Sequence, residues 1–326
     1  MRNVLRVGVV AVLVGVALAP HGLSLEAQVG SIPSRLTWYD RSGRILDGLG
    51  RRGDYGNIEL SPDGTRLAVA VLDADRRAGD IWIFDVATGE SRPFTSDPAD
   101  ENWLIWSPDG TRVAFNSGRD GGLDLYQTDA GGAGPEEALL VDGVAKWPVS
   151  WSPDGRFILY VTNSEETGND LWILPLGGDR PPYPFIQTRF QDNWGTISPD
   201  GRWVAYSSTE TGRAEVYVVP FPAGGEKRRV SADGGFQARW RRDGREIFYL
   251  ASDGTLMATA VDGSGAQFET GLVEALFRTP FLYPPYRAYE VSPDGQRFLI
   301  NTLVVTPGSS LSVASAVRPA GRAETP

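Results

Sequence analysis

A four-residue phrase, Ser-Pro-Asp-Gly, recurs along this chain at nearly constant spacing, and this recurrence limits the fold more than any other feature. The first copy begins at Ser61, intact copies begin at 107, 152, 198 and 292, and a decayed copy, Arg-Arg-Asp-Gly, occupies 241–244. The six aspartates are therefore separated by 46, 45, 46, 43 and 51 residues. Self-similarity with a period in this range is typical of solenoids, arrays and propellers.

Each copy of the phrase has the residues of a tight turn between two β-strands. Serine in the first position can hydrogen-bond the backbone, proline presets φ in the second, and glycine in the fourth supplies a positive φ. Apolar or aromatic residues flank the phrase, as Trp106 does before the second copy and Phe115 after it. The six copies predict six β-hairpins, and we assign their aspartates to the turns and not to catalysis or calcium binding.

Four strand-like segments fit into each repeat of about 45 residues. In the first repeat they are 57–60, 66–71, 80–86 and 90–95, and no later window of ten residues has helical periodicity. Short strands at even spacing predict an all-β fold, and four strands in a repeat match one propeller blade. We therefore predict a single domain, a six-bladed β-propeller with four-stranded blades, over residues 35–317.

The two ends of the array are incomplete in complementary ways. A hairpin at 35–49 lacks the Ser-Pro-Asp-Gly phrase, and the sixth repeat has strands only at 287–291, 297–304 and, weakly, 310–317. We expect the N- and C-terminal strands to join in the last blade, because closure pairs the edges that an open ring leaves exposed. Residues 318–326 are expected to form a loose tail.

The first 27 residues resemble an export signal. Arg2 and Arg6 precede an apolar run from Val7 to Ala19, and Ala27 offers a cleavage site. As a helix, a run of this length measures about 20 Å, which is short of a hydrocarbon core of ~30 Å. We expect a cleaved signal, with an uncleaved N-terminal membrane anchor as the alternative, and in both cases a periplasmic or extracellular propeller.

Charge and missing residue types restrict the chemistry. The chain has 31 Lys and Arg against 41 Asp and Glu, a net charge of −10, which argues against nucleic acid as a partner. It has no cysteine, and its single histidine, His21, lies in the segment expected to be removed. The mature chain then has no His- or Cys-based nucleophile and no ordinary zinc site. We predict no catalytic residues, no cofactor and no metal site.

The repeats resemble those of TolB-type β-propellers. The shared pattern is Trp-Ser-Pro-Asp-Gly with its following strand, and then a strand that opens with an acidic residue, as in 106–115 with 124–126 and 151–160 with 170–172. Several phrases, 36–40 and 219–222 among them, also resemble the extracytoplasmic propeller of bacterial receptor-type serine/threonine kinases, although no kinase motif is present. The resemblance implies a sensing or binding module and assigns no functional residue.

Acidic residues recur at the start of the third strand of successive repeats. They are Asp80, Asp124, Asp170 and Glu215. Because repeat positions carry packing between neighbouring units, this recurrence predicts structural pairing with a nearby turn or arginine.

Aromatic residues lie just before the first strand of four repeats. These residues, 6 or 7 positions before their aspartates, are Trp103, Trp147, Trp194 and Phe236. Since first strands line the channel of a propeller, we predict the four rings at one channel mouth, opposite the Ser-Pro-Asp-Gly turns, beside Asp100, Glu101 and Asp192. Such a surface suits a peptide, a sugar or a cation. The alternative is that the aromatics only pack between blades.

Three interpretations fit these observations. The first is an exported, monomeric, non-catalytic module that presents the channel mouth to a protein, peptide or glycan of the cell envelope. The second is a glycoside hydrolase or lyase that uses carboxylates such as Asp100, Glu101, Asp192 and Glu59, favoured by two carboxylates about 5–5.5 or 6.5–9.5 Å apart. A third is a structural remnant, the propeller of a receptor kinase without its cytoplasmic half.

Overall fold

The computed structural model describes residues 34–73, 78–132, 134–280 and 286–304. They belong to one compact unit that spans Ser31–Ser312. The predicted export signal at 1–27, the weak last strand at 310–317 and the tail at 318–326 lie outside the described residues. Within the described ranges, no helix is long and apolar enough to cross a membrane.

The described residues form 24 strands and no helix, arranged in six four-stranded antiparallel sheets. The chain opens with β1 (Ser34–Asp40) and β2 (Ile45–Gly53). Blade 1 contains β3 (Tyr55–Leu60), β4 (Arg66–Asp73), β5 (Ala78–Asp85) and β6 (Ser91–Pro93). Blade 2 contains β7 (Leu104–Trp106), β8 (Arg112–Ser117), β9 (Asp124–Asp129) and β10 (Glu137–Leu140).

Blade 3 contains β11 (Lys146–Trp151), β12 (Phe157–Ser164), β13 (Gly168–Pro175) and β14 (Tyr183–Ile186). Blade 4 contains β15 (Asp192–Ile197), β16 (Trp203–Ser208), β17 (Glu215–Pro220) and β18 (Arg228–Arg229). Blade 5 contains β19 (Phe236–Trp240), β20 (Glu246–Leu250), β21 (Thr255–Asp262) and β22 (Glu269–Arg278). Blade 6 begins with β23 (Tyr289–Val291) and β24 (Arg297–Leu303). The first strands of neighbouring blades contact one another around the ring.

Blade 6 is completed by strands from both ends of the described chain. Its strand order is β2-β1-β24-β23, and β1 pairs with β24 from Arg35 opposite Thr302 to Asp40 opposite Arg297 without a register shift. This pairing closes the ring and adds the two outer strands, β1 and β2, to the hairpin of β23 and β24. The predicted six-bladed, all-β propeller closed by N- and C-terminal strands is therefore confirmed.

The Ser-Pro-Asp-Gly phrase builds the turn after the first strand, as predicted. In the second copy, Ser107 Oγ donates to Asp109 Oδ1 at 2.6 Å, and this oxygen also accepts from the N–H of Thr111 at 3.0 Å. Gly110 has a φ of +69°. These hydrogen bonds lower the pKa of Asp109 to about 2, and the bond from Ser107 has the largest effect. The same Ser–Asp bond recurs in the other intact copies.

The apolar core lies in the seams between neighbouring blades. The described residues contain six buried apolar clusters, one for each seam. In β16, Val204 and Tyr206 pack against blade 3, whereas Trp203 and Ala205 pack against blade 5. Successive side chains of a strand point to opposite sides, so a strand between two seams must be apolar in both registers.

Three of the four acidic residues near the start of third strands hold the following loop, in line with the predicted structural pairing. Asp124 Oδ1 lies 2.8 Å from Lys146 Nζ, and both side chains are buried. Asp170 accepts from Gln187, which follows the fourth strand of its blade, and Glu215 accepts from a backbone N–H after β18 at 3.1 Å. These contacts tie the third strand to the segment that leads into the next blade.

Candidate functional site

The strand directions give the ring two distinct faces. We call the side with the six Ser-Pro-Asp-Gly-type turns the turn face, because each of these turns follows a first strand. The opposite side, the loop face, carries the segments that lead into each first strand and the loops between second and third strands, such as 96–103 and 118–123. The predicted channel mouth lies on the loop face.

Two of the four predicted rings meet over this mouth. Trp103 directly precedes β7 in blade 2 and Trp194 lies in β15 in blade 4, yet their ring centroids are 5.2 Å apart with the planes inclined by 34°. Blade 3 stands between these two blades, so the tryptophan pair (Trp103 and Trp194) reaches across part of the channel. Both rings are half-buried and keep an exposed surface.

The backbone beneath the tryptophan pair is distorted. The register of β15 against β16 shifts between Asn193 and Thr196, which marks a β-bulge, and Trp194 has a φ of 59°. Gln237 stands at the same repeat position in a bulge of β19 and has a φ of 55°. Left-handed backbone costs a non-glycine residue about 1–2 kcal/mol. Bulges re-aim side chains, and strain of this kind concentrates at functional sites.

All four predicted rings take part in packing: Trp103 packs against the cluster of blades 3 and 4, and Trp194 packs against that of blades 5 and 6. Phe236 is 6% exposed in the cluster between blades 5 and 6, and Trp147 is partly buried against the cluster of blades 3 and 4. Both lie seven residues before their aspartates, whereas the tryptophan pair lies six before. An offset of one residue turns a strand side chain to the opposite side, so the four rings do not share one orientation.

The three predicted acidic residues are engaged by their neighbours. Glu101 is fully buried and pairs with Arg119, and burial outweighs this pairing and raises the pKa of Glu101 to about 7. Asp100 accepts a backbone N–H at 2.7 Å and Asp192 accepts a threonine hydroxyl at 2.6 Å, and burial raises the pKa of both. Among the described residues, no group of three or more His, Cys, Asp or Glu is arranged to hold a metal ion.

An arginine that the sequence analysis did not single out spans the channel. Arg287 lies two residues before the last blade's first strand, and its Nη2 donates to the carbonyl oxygen of Val149, in blade 3 on the opposite side, at 3.0 Å. Its Nη1 contacts the carboxylate of Glu59 in blade 1, and its backbone N–H donates to Asn57 Oδ1 at 2.8 Å. The residue is only 3% exposed. Arg287 thus joins three blades at the axis.

A second ion pair adjoins Arg287. Arg239 Nε lies 3.1 Å from Glu290 Oε1, and together with Glu59 and Arg287 these residues form the channel cluster. Burial raises the pKa of Glu59 to about 7, although both arginines lower it. Three members lie four residues before their repeat's aspartate, within otherwise buried strands. The sequence does contain a signal for these residues: a charged side chain recurs at the same repeat position, in strands that are otherwise predicted to lie in the core.

Side-chain amides join neighbouring blades around the loop face. Each donates to a backbone carbonyl of the next blade at 2.8–3.0 Å: Asn57 to Asn102, Asn116 to Lys146, Gln237 to Tyr286 and Asn301 to Tyr55. Buried amide bonds of this kind limit movement between blades. These bonds cross four of the six seams, including the one between blades 2 and 3 beside Trp103, but not the two seams of blade 4, which carries Trp194.

We expect the free energy of unfolding to fall as the pH rises from about 5 to 7. With its pKa raised from the usual 4.5 to about 7, Glu101 binds a proton more tightly in the folded chain, so its contribution is lost over this window. Asp63 and Asp109, with pKa values lowered from 3.8 to about 2, lose their contribution only below that range. Urea unfolding between pH 3 and 8 measures both limbs.

The matched variant is Glu101→Gln, which mimics the protonated side chain. It is expected to reduce the decline between pH 5 and 7, with Glu59 supplying part of the remainder, and to leave the acid limb unchanged. An identical decline in this variant would show that Glu101 does not titrate in this range.

The closed ring of six four-stranded sheets defines a β-propeller, and comparison with known families shows which propellers it is similar to. Residues 51–180 match the family model of the TolB beta propeller domain. The matched residues include blades 1 and 2 and the first three strands of blade 3. Over these residues the chain is therefore similar to the TolB beta propeller domain, as its Ser-Pro-Asp-Gly repeats indicated.

Curated relatives match parts of the chain. The uncharacterized peptidase YuxL of Bacillus subtilis (strain 168) is 36% identical over 114 residues, which are 33% of this chain and 17% of the relative. The Tol-Pal system protein TolB of Francisella tularensis subsp. tularensis (strain WY96-3418) is 24% identical over 171 residues, 52% of this chain and 39% of that protein. The chain therefore aligns with less than half the length of these relatives.

Solved structures share the architecture. A protein designated TolB from Agrobacterium tumefaciens superposes with a TM-score of 0.64 at 19% identity, over 85% of this chain and 100% of the other. TolB from Acinetobacter baumannii gives 0.53 at 17% identity, over 76% and 63%. An oligogalacturonate lyase in complex with manganese gives 0.52 at 15% identity, over 81% and 77%. At these identities the likeness is one of fold.

Proposed function

We propose that this protein is an exported, non-catalytic binding module that presents the loop face of its channel to a protein, peptide or glycan of the cell envelope. The observation that carries the proposal is the tryptophan pair, two half-exposed rings from non-adjacent blades that meet 5.2 Å apart over the channel mouth. Tryptophan is enriched among the residues that dominate binding energy at interfaces.

The surroundings of the pair support a binding role. Trp194 has a φ of 59°, which is a strained backbone conformation for a non-glycine residue. Such strain persists only where the neighbouring structure enforces it. The channel cluster and the interblade amides limit movement between blades, which lowers the entropic cost of binding. Relatives named as Tol-Pal system proteins favour a protein partner, and export rests on the predicted N-terminal signal. We also propose that this propeller shares an ancestor with the extracytoplasmic propellers of bacterial receptor-type serine/threonine kinases.

Trp194→Asn is the sharpest test, because asparagine tolerates left-handed backbone. Relief of strain and loss of the ring contact offset each other, so we expect the free energy of unfolding to stay within about 1 kcal/mol of wild type. Recovery of the partner by crosslinking in cell-envelope fractions, quantified by mass spectrometry, is expected to fall at least tenfold. Trp103→Ala should act in the same way.

Trp82→Ala is the matched control, since Trp82 is also half-buried but lies on a third strand, away from the channel mouth. Its partner recovery is expected to equal that of wild type. An unchanged set of crosslinked proteins in the Trp103→Ala, Trp194→Asn double variant would contradict the proposal.

The alternative is a carboxylate-based glycoside hydrolase or lyase, and Glu59 is the residue that favours it. Its side chain is 19% exposed, and a carboxyl group with a pKa of about 7 suits general acid catalysis. Release of reducing ends or unsaturated sugars from envelope glycans and pectic polymers separates the two functions. Turnover by wild type that disappears in Glu59→Gln would establish the enzyme and contradict a purely binding role.

A further inference from the structure

The seam between blades 1 and 2 is sealed on the turn face by a tryptophan and an arginine. Trp106 donates its indole N–H to the carbonyl oxygen of Glu59, in the preceding blade, at 3.0 Å. The guanidinium of Arg66, from blade 1, lies 4.6 Å from the centroid of the Trp106 ring and donates to the carbonyl oxygen of Gly110 at 2.8 Å. Both bonds cross the seam.

The next seam has the same residue types at the same repeat positions, but they are engaged differently. Arg112 and Trp151 correspond to Arg66 and Trp106. Arg112 Nη1 donates to Glu137 Oε2, in the outer strand of its own blade, at 2.7 Å. Trp151 donates its indole N–H to the carbonyl oxygen of Gly155, in the turn of the same blade, at 3.2 Å. Bonds within a blade have replaced the two bonds that cross the first seam.

A cleft of about 420 Å³ opens at this second seam. Its walls include Pro108, Asp109, Trp151, Pro153 and Asp154, and Arg112 lines its edge while its guanidinium is held by Glu137. A Cβ atom added to Gly155 would meet no described atom within 4 Å, whereas one added to Gly110 would lie 3.3 Å from Arg66. Trp151 is half-buried, whereas Trp106 is only 4% exposed. The space that an arginine fills in the first seam is therefore open in the second.

We propose that this cleft binds an arginine side chain from an extended segment of a partner protein. The guanidinium stacks on Trp151 as Arg66 stacks on Trp106, and the carbonyl oxygen of Gly155 has a second lone pair to accept from it. The prolines flank the aliphatic part of the side chain, and the Asp109 carboxylate attracts its charge, whereas Asp154 is paired with Arg156. The net charge of −10 further favours a basic partner.

The test uses the full-length protein with ¹⁵N-labelled indoles and a capped Gly-Ser-Arg-Ser-Gly peptide. The Trp151 indole resonance, identified by its loss in Trp151→Phe, is expected to shift saturably with this peptide. A peptide with citrulline in place of arginine keeps the shape without the charge and is expected to produce no saturable shift. An equal response to both peptides, or no saturable response to the arginine peptide, would overturn the proposal.

Two variants at solvent-accessible positions test the analogy with the Arg66 and Trp106 contact and leave Trp151 unchanged. Glu137→Ala frees Arg112 to occupy the cleft as Arg66 does, so affinity for the arginine peptide is expected to fall at least fivefold. Arg112→Ala leaves the cleft open and should bind at least as tightly as wild type. Unchanged affinity in Glu137→Ala would contradict the site. Trp194→Asn should bind the peptide normally, which separates this site from the loop-face proposal.

Discussion

Replacing Arg287 by methionine is expected to lower the free energy of unfolding by about 3–5 kcal/mol. Arg287 is 3% exposed and holds the Glu59 carboxylate, the Val149 carbonyl and, through its backbone, Asn57. Methionine keeps much of the volume but leaves the Glu59 charge and the carbonyl oxygen in the channel without their donor. Urea unfolding of the purified variant at pH 7.5 measures the loss.

The double variant Arg287→Met, Glu59→Gln is expected to recover part of this loss, because the uncompensated carboxylate is removed together with its partner. Arg156→Ala is the control, since its ion pair with Asp154 joins side chains that are 70% and 45% exposed, and such pairs contribute about 0–1 kcal/mol. Equal small losses in Arg287→Met and Arg156→Ala would show that the axis is not held by this cluster.

Replacing Phe298 by alanine is expected to lower the free energy of unfolding by about 3–5 kcal/mol. Phe298 is fully buried in β24, the strand on which the N-terminal strand β1 closes the ring. Its ring centroid lies 5.1 Å from that of Phe248 and 6.0 Å from that of Phe277, so truncation opens a cavity in the seam between blades 5 and 6. Thermal and urea unfolding measure the effect.

Two further variants calibrate this result. Phe298→Leu keeps most of the apolar volume and should lose much less stability than Phe298→Ala. Leu272→Ala changes an apolar residue of the same seam's outer strand that is 87% exposed, and it should change stability by less than about 0.5 kcal/mol. A loss below about 1 kcal/mol in Phe298→Ala would contradict the packing of the closing blade.

The fold was readable from the sequence because its determinants are local. Ser107, Asp109 and Gly110 form a turn through bonds that span only a few residues, and six copies of that turn set the number of blades. The strands could be located because apolar residues occupy the positions that face both sides of each strand. The joining of the two ends followed from their complementary missing strands.

The outer strands were harder to place. The fourth strand of blade 1 was predicted over 90–95 but spans only Ser91–Pro93, and that of blade 4 contains only Arg228 and Arg229. Fourth strands have one neighbour and exposed side chains, so their extent depends on local pairing more than on a hydrophobic pattern.

The sequence by itself determined the repeat, the turns, the strand order and the closure, since each depends on contacts within one repeat or on the count of repeats. Only the tertiary structure decided which residues share the axis. Arg287 bonds Val149 from 138 positions away, and the rings of Trp103 and Trp194 meet from different blades. The same Arg and Trp pairing seals one seam and leaves the next open, because the nearby Glu137 redirects Arg112. Ring closure and competition among neighbouring charges are properties of the assembled molecule, and no single repeat encodes them.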